Sequence, residues 1–195
     1  MFSELERIYN HLGTLPGITT DAGFVFGSAR LNILKEKMMY LNEQISGSRI
    51  LFGVNRIGGV GVNLTEECNK NIFTTLNQVE NNFELVINFL RQKSSFIDRL
   101  MNTGIITNKT AKELGAVGIS ARCAGIDIDT RLNHPYAAYS NLKINQYQKT
   151  PRDITQHKVE IQKRVGDALS RFEIRIDEIK DSINIIKSVL NNLGN

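Results

Sequence analysis

The feature that most constrains this chain is a seven-residue repeat of apolar side chains near its end. The apolar positions follow one another at alternating steps of four and three residues, and they are Val165, Leu169, Phe172, Ile176, Ile179, Ile183, Ile186, Leu190 and Leu193. Such spacing places all of these side chains on one stripe of an α-helix. It predicts a single long helix over residues 158–193, which Gly194 would end.

Two more stripes of the same kind precede it. The longer one predicts a helix over residues 65–102 and is interrupted by Lys93; its apolar members are Ile72, Leu76, Val79, Phe83, Val86, Leu90, Ile97 and Leu100. The other has Gly27 at a skipped position and would end at Gly47; its members are Phe24, Leu31, Leu34, Met38, Leu41 and Ile45. Each stripe needs an apolar partner, so the stripes predict a mainly α protein built as an antiparallel bundle of long helices.

A glycine-rich stretch, NRIGGVGVNL at residues 55–64, lies between two of these helices. The apolar run before it predicts a strand over residues 49–54, and thus a small β element over residues 49–64. The glycines do not match the spacing of a dinucleotide fingerprint, and no Lys-Ser/Thr pair follows as in a Walker loop. A tight turn is therefore favoured, with Asn63 capping the next helix and Glu66 as its partner. Nucleotide binding at residues 58–61 is the minor alternative, and it predicts measurable affinity for NADH.

Charge and cysteine content exclude several functions. The formal charge of +4 is too small to indicate nucleic-acid binding. Two cysteines without a CxxC motif indicate neither a disulfide framework nor a metal site. Without an apolar run of about 18 residues, a transmembrane segment is not expected. The beginning of the chain does not resemble a secretory signal, which favours a cytoplasmic protein.

The stretch over residues 104–140 has no clean helical or strand period. A short capped helix is predicted over residues 107–115, and the rest contains glycine, arginine, aspartate and aromatic side chains. Long loops in compact domains are usually functional or disordered. Because this stretch is rich in large side chains, we expect an ordered loop that forms the working surface. Residues 141–157 form a basic insertion, interpreted as a solvated loop or, alternatively, as a contact with an acidic partner.

Five motifs, in order, resemble one protein family. FSELERIYNHL at residues 2–12 resembles ELxRIxxHL, and NRIGGV at residues 55–60 resembles an R-x-G-G-V turn. GAVGISARCAGIDIDTR at residues 115–131 and HPYAAY at residues 134–139 resemble consecutive family segments. GDALSRFEIRIDEIKDSINII at residues 166–186 resembles GDxxxRxxxRxxEMxxSxxII. The chain is thus similar to the large subunit of membrane-bound, energy-converting nickel–iron hydrogenases of the formate hydrogenlyase type, and to the related quinone-pocket subunit of respiratory complex I.

The resemblance implies a cofactor-binding subunit, but this chain departs from the family pattern at several positions. Hydrogenases of this family hold nickel and iron with two CxxC pairs, which this chain lacks, so no cofactor is expected in the chain itself. We therefore expect residues 1–195 to be one domain excised from a longer subunit, with the bundle formed by residues 1–47, 65–103 and 158–193. Leu51 and Phe52 stand where complex I has adjacent histidines, which favours the hydrogenase branch over quinone reduction.

The resemblance also implies partners. These are an iron–sulfur subunit and membrane subunits of a larger complex on the cytoplasmic face of a membrane. The isolated piece could also form a homodimer through exposed helix faces. A non-enzymatic scaffold that binds the iron–sulfur subunit is the competing interpretation.

Nine residues are candidates for the site under this resemblance. Asp21 is either a helix-dipole partner or a buried carboxylate of raised pKa that moves protons. His11 is interpreted as a structural histidine rather than a ligand. The remaining candidates would order loops beside the partner's iron–sulfur cluster or simply fix loop shape by ion pairs; they are Arg56, Gly58, Gly59, Arg122, Asp129, Arg131 and Tyr136. Arg171, Arg175 and Glu178 could be solvated or could bond to the loops.

Overall fold

The computed structural model describes residues 1–142 and 164–193. Four of its helices are long and the others are short. In chain order the elements are α1 Phe2–Asp21, α2 Val25–Ser46, β1 Asn55–Arg56, β2 Gly59–Val60, α3 Glu66–Arg91, α4 Ser94–Leu100, α5 Asn108–Glu113, α6 Gly118–Cys123, α7 Thr130–Asn133, a 3₁₀ helix Ala137–Asn141, and α8 Ala168–Leu193.

The four long helices form an antiparallel bundle, which confirms the predicted fold class. α2 packs between α1 and α3, and α8 closes the ring against α1 and α3. Side-chain pairs run in opposite directions along neighbouring helices: Lys180 contacts Glu84 and Lys187 contacts Glu80. The predicted stripes supply most of the core, and α1 adds Leu5, Ile8, Leu12 and Leu15. Each large apolar side chain buried here contributes about 1.5–3 kcal/mol.

Gly27 explains the skipped position in the stripe of α2. It is buried, and a Cβ atom there would lie 2.8 Å from Cδ2 of Leu90 and 3.1 Å from Cγ2 of Thr19. The missing side chain therefore lets α2 approach both α1 and α3 closely.

The predicted helix over residues 65–102 is wrong in its length, because it is two helices. α3 ends at Arg91, and Lys93 has extended backbone angles as the N-cap of α4. The break redirects the chain so that Phe96, Ile97 and Leu100 are buried, whereas a straight helix would have placed Lys93 in the apolar stripe. The helix begins with Thr65 as its N-cap, accepting from the Cys68 amide, so the predicted cap at Asn63 is also wrong.

The last helix begins at Ala168, ten residues after the predicted start. Gly166 has φ +80°, and the Asp167 carboxylate accepts hydrogen bonds from the amide and hydroxyl of Ser170. These features end the irregular backbone and start the helix. Three predicted features lie outside the described residues: the helix start at residue 158, most of the basic insertion, and Gly194 at the helix end. Beyond the insertion, the basic residue Arg164 pairs with Asp127.

The β element is smaller than predicted. β1 and β2 are two-residue antiparallel strands, with Asn55 paired to Val60 and Arg56 to Gly59. Residues 49–54 form turns instead of the predicted strand. Two of their apolar side chains, Leu51 and Val54, are buried in the bundle core, whereas Ile50 and Phe52 are exposed. Gly58 and Gly59 have φ values of +90° and +152°, as the predicted tight turn requires.

Residues 104–142 are a chain of short helices rather than a loop. α5 is capped by the Thr107 side chain, as predicted. α6 packs against α8, and α7 packs against the 3₁₀ helix. None of the helices in the described part of the chain is long and apolar enough to cross a membrane.

Candidate functional site

A buried carboxylate on α8 is the centre of the site. Glu178 has 0% of its side chain exposed and receives hydrogen bonds from two sides. Nε and Nη2 of Arg122, on α6, donate to its Oε1 at 2.8 and 2.5 Å. From α1, Arg7 Nη1 donates to Oε2 at 3.2 Å, and His11 Nε2 lies 2.7 Å from the same oxygen. One carboxylate thus joins α1, α6 and α8.

A second cluster lies one helical turn further along. Arg131, on α7, is 1% exposed, and its guanidinium donates to Asp129 through Nε and Nη2. Its Nη1 lies 3.3 Å from both carboxylate oxygens of Glu4 and 3.4 Å from Oδ2 of Asp181. Arg131 therefore ties α7 to both α1 and α8.

Glu4 links the two clusters. Its Oε2 lies 3.3 Å from Nε of Arg7, and it accepts a hydrogen bond from the hydroxyl of Ser182 at 2.5 Å. Its Oε1 accepts from the hydroxyl of Tyr139, on the 3₁₀ helix. We call the combined set the buried ion network; its members are Glu4, Arg7, His11, Arg122, Asp129, Arg131, Tyr139, Glu178, Asp181 and Ser182.

The helical period explains why the network forms. Glu4, Arg7 and His11 are three and four residues apart, so they share one face of α1. On α8, Asp181 and Ser182 lie three and four residues after Glu178 and so share a face with it. Because α1 and α8 pack side by side in opposite directions, the two polar faces meet inside the protein. Four carboxylates there face three guanidinium groups, and paired, hydrogen-bonded charges are the form in which charge is tolerated in a protein interior.

The pKa shifts follow from this pairing. Burial alone would raise the pKa of Glu178, but the hydrogen bond from His11 and the charges of Arg122 and Arg7 outweigh it and lower the pKa to about 2. The pKa values of Glu4 and Asp129 are also lowered against burial, by their hydroxyl and arginine partners. Burial lowers the pKa of His11, so the ring is neutral at pH 7 and its Nε2–H donates to Glu178.

Acid should therefore destabilise the protein. A carboxylate whose pKa is lowered by folding contributes stability above its unfolded pKa and loses it as the pH falls towards its folded pKa. For Glu178 this window runs from 4.5 down to about 2, and a shift of that size corresponds to about 3 kcal/mol. His11 acts in the same direction from about pH 6.5 downward. We expect the free energy of unfolding in urea to fall steadily between pH 6.5 and pH 3; a constant value over that range would contradict the network's charge state.

The structure brings together four of the nine candidates. Arg122, Asp129 and Arg131 are network members, and His11 is a hydrogen-bonded structural histidine. Arg56 is separate: it is exposed, and its Nε donates to the Gly53 carbonyl at 3.1 Å. The predicted grouping of Arg56 with the other arginines is therefore wrong.

The other candidates lie at the surface. Gly58 and Gly59 form the exposed hairpin turn described above. Tyr136 is exposed and contacts Tyr139 edge to face, with ring centroids 4.9 Å apart. Asp21 is the last residue of α1 and is exposed, so the expectations of a buried carboxylate and of a helix-start position are both wrong. A carboxylate at a helix C-terminus also does not complement the helix dipole.

The residues that sequence reasoning missed are mainly acids. Glu4, Asp181 and Ser182 were not singled out, and Glu178 was left open between solvent and loop contacts. A signal was present, because Glu4, Glu178 and Ser182 all occupy fixed positions of the family motifs quoted above. Polar residues at helical spacing on both α1 and α8 were the pattern that could have indicated the network.

The chemistry open to this site is limited by its pairing. Its acids and bases are paired with each other and fix the short helices to the bundle. Among residues 1–142 and 164–193, no group of three or more His, Cys, Asp or Glu side chains could hold a metal ion. Cys123 is buried and its thiol lies 3.2 Å from the Ser120 carbonyl, and burial raises its pKa. The donor set therefore does not fit a nickel–iron centre.

Comparison with known proteins supports the motif resemblance. The family model described as the respiratory-chain NADH dehydrogenase 49 Kd subunit matches residues 21–195. An NADH-quinone oxidoreductase subunit of Deinococcus radiodurans is 30% identical over 190 residues, covering 97% of this chain and 44% of that protein. The membrane-bound hydrogenase subunit alpha of Pyrococcus furiosus is 28% identical over 190 residues, covering 97% of this chain and 43% of that protein.

A third relative matches over nearly the same length of the chain. An NADH-quinone oxidoreductase subunit of Salinispora arenicola is 26% identical over 188 residues, covering 96% of this chain and 45% of that protein. The chain thus spans less than half the length of these three relatives. The match over most of its residues shows that the chain belongs to the family of the respiratory-chain NADH dehydrogenase 49 Kd subunit.

Proposed function

We propose that this chain forms the helical core of the large subunit of an electron-transferring oxidoreductase complex, peripheral on the cytoplasmic face of a membrane. The observation that carries the proposal is the buried ion network. It lies at the positions of the family motifs and fixes residues 115–142 against α1 and α8. Ordinary bundle packing does not need such a network, since apolar side chains of the same volume would stabilise the interface as well or better.

In this proposal the network fixes the shape of a docking face that α6 and α7 form. Arg122 and Arg131 are pinned by carboxylates on two long helices, so α6 and α7 cannot turn independently of the bundle. A rigid face suits a partner subunit that carries an iron–sulfur cluster, because electron transfer depends on a fixed distance between donor and acceptor. The chain's residues position this face and themselves transfer no electrons.

Two reactions compete for the whole complex. Hydrogen evolution or oxidation is favoured by Leu51, which is buried in the core with φ +58°, beside an exposed Phe52. These side chains replace the titratable pair expected of the quinone-reducing branch. Quinone reduction is favoured by the description of the matching family model and by the names of two of the relatives above.

The test uses the complex from its own membranes. We would add an affinity tag to the chain, solubilise the membranes in mild detergent, and identify the proteins that copurify. Hydrogen evolution from reduced methyl viologen together with bound nickel supports the hydrogenase assignment. Quinone reduction without nickel supports the alternative. An iron–sulfur protein that copurifies without either activity leaves a scaffold role, and a chain that purifies alone overturns the proposal.

A pair of matched variants tests the role of the network. Glu178→Gln keeps the shape of the side chain and removes the buried charge, whereas Glu84→Gln changes an exposed carboxylate that pairs with Lys180. We expect Glu178→Gln to lower the amount of copurified iron–sulfur subunit about tenfold, equivalent to about 1.4 kcal/mol of binding, and Glu84→Gln to leave it unchanged. Both amounts are normalised to protease-resistant chain, so that unfolding is not counted as lost binding. Equal recovery with both variants would contradict the assigned role.

A further inference from the structure

An apolar patch lies on the outside of the bundle, on the face shared by α2 and α3 and away from the buried ion network. We call it the α2–α3 patch, and it consists of Phe26, Ile33, Leu85 and Phe89. The exposed fractions are 62% for Phe26, 58% for Ile33, 69% for Leu85 and 37% for Phe89. Phe26 and Phe89 touch across the two helices, with ring centroids 5.7 Å apart and an edge-to-face angle of 70°.

The register of the two helices shows that these side chains adjoin. Besides the Phe26–Phe89 contact, Lys37 on α2 contacts Gln78 on α3, and Gln44 contacts Asn71. Each step forward along α2 is matched by an equal step backward along α3. Ile33 is therefore level with Asn82, whose neighbour on the same stripe is Leu85. By the same register Arg30 is level with Leu85, so the four apolar side chains share one exposed face with Arg30 and Asn82.

Two cations border the patch, and both lie on its aromatic rings. The Arg30 guanidinium carbon is 5.5 Å from the Phe26 ring centroid, and Lys93 Nζ is 4.8 Å from the Phe89 centroid. In the part of the chain that the structure describes, neither cation forms a salt bridge. The nearby acids on the same helices are engaged elsewhere, since Glu36 pairs with Arg49 and Glu84 pairs with Lys180. The patch therefore combines four exposed apolar side chains with two cations that form no salt bridge in the described part of the chain.

We propose that the α2–α3 patch binds an amphipathic helix of a partner protein whose apolar stripe is flanked by Asp or Glu. A third helix fits the shallow groove between two antiparallel helices and would bury the four apolar side chains. Its carboxylates would meet Arg30 and Lys93, and this charge complementarity selects the partner. A second copy of this chain is a poorer occupant, because a two-fold interface on the patch would bring these cations close to their own copies.

The test compares two synthetic helical peptides with the same leucine and alanine stripe. Each has about 20 residues and a fluorescent label; one peptide flanks the stripe with glutamate, the other with lysine. We expect fluorescence polarisation to show at least about tenfold tighter binding of the glutamate peptide. The preference should weaken at about 0.5 M salt, because salt screens the charges at the rim.

Substitutions on the chain locate the binding. Leu85→Glu combined with Ile33→Glu should weaken binding of the glutamate peptide at least about tenfold. Arg30→Gln combined with Lys93→Gln should remove the preference between the two peptides while retaining some binding. Ile57→Glu is the matched control, because Ile57 is fully exposed at the glycine hairpin, away from the patch. This substitution should leave binding unchanged.

Three outcomes would overturn the proposal. The first is that neither peptide binds at millimolar concentration. The second is that both bind equally, or that binding survives the double glutamate variant. The third is a concentration-dependent dimer, in sedimentation of the unliganded chain, that Ile33→Glu abolishes, because the occupant would then be a second copy. None of these results depends on the activity of the whole complex, so this inference can fail while the proposed function stands.

Discussion

Replacing Glu178 with alanine is expected to lower the free energy of unfolding by about 3–5 kcal/mol, the range for breaking a buried ion pair by removing one partner. The side chain has no exposed surface and accepts from Arg122, Arg7 and His11. Its removal would take from the 8%-exposed Arg122 the carboxylate that accepts two of its hydrogen bonds, and a buried charge that loses an ion-pair partner is costly. Urea unfolding monitored by circular dichroism measures the change.

The control for this substitution is Glu84→Ala. Both residues are glutamates in long helices, and both form an ion pair with a basic side chain. Glu84 is 49% exposed in its pair with Lys180, so its loss should cost less than about 1 kcal/mol. Glu178→Ala should also increase hydrogen exchange over residues 118–123, because α6 loses the carboxylate that anchors Arg122. Similar losses for both variants would show that the buried charge does not hold the short helices in place.

The second large effect is expected from Gly166→Ala. Gly166 has φ +80°, and a Cβ atom there would lie 1.9 Å from the carbonyl oxygen of Ile106. The same two residues are joined by a hydrogen bond from the Ile106 amide to the Gly166 carbonyl at 3.0 Å. The segment leading into α5 must therefore move away, and with it the contacts of Arg171 to the Gly166 and Gly104 carbonyls. We expect a loss of about 3 kcal/mol or more.

Gly115→Ala separates backbone strain from this contact. Gly115 has φ +63°, but a Cβ atom there would have no neighbour within 4 Å. Its substitution should cost about 1–2 kcal/mol, from left-handed backbone strain alone. The difference between the two thermal or urea denaturation results measures the collision at Ile106. If the two alanine variants lost equal stability, the close approach of residues 106 and 166 would be ruled out.

The long helices could be predicted from the sequence because their signal is local. An apolar stripe with steps of three and four specifies a helix whatever it packs against, and α2 ended at Gly47 as expected. Helix and strand boundaries were harder to predict where tertiary contacts determine them. Lys93 continues the helical spacing in sequence, yet the chain turns there so that Phe96 contacts Phe24 and Phe172. The apolar run at residues 49–54 had no partner strand and folded as turns against the bundle.

The site was less predictable because its signal is not local. Arg122, Asp129 and Arg131 were recognised because arginine and aspartate are conspicuous in a glycine-rich segment. Glu178 was not, because a glutamate on a long helix is usually solvated. Its burial depends on Arg7 and His11, which lie 171 and 167 residues earlier in the chain. Only the packing of α1 against α8 brings them together, and no window of the sequence contains that information.

The same separation bears on the order in which the protein folds. The helices α2 and α3 are close in sequence and can pair early, whereas the hydrogen bond between Glu4 and Ser182 closes a span of 178 residues. During synthesis, α1 must wait for α8 to leave the ribosome, with its charged face hydrated and its apolar face covered by α2 alone. Long-range contacts of this kind form late and slowly. Because α8 is translated after the other three long helices, it is the helix that completes their shared core, and nascent chains that stop before α8 should be the aggregation-prone species.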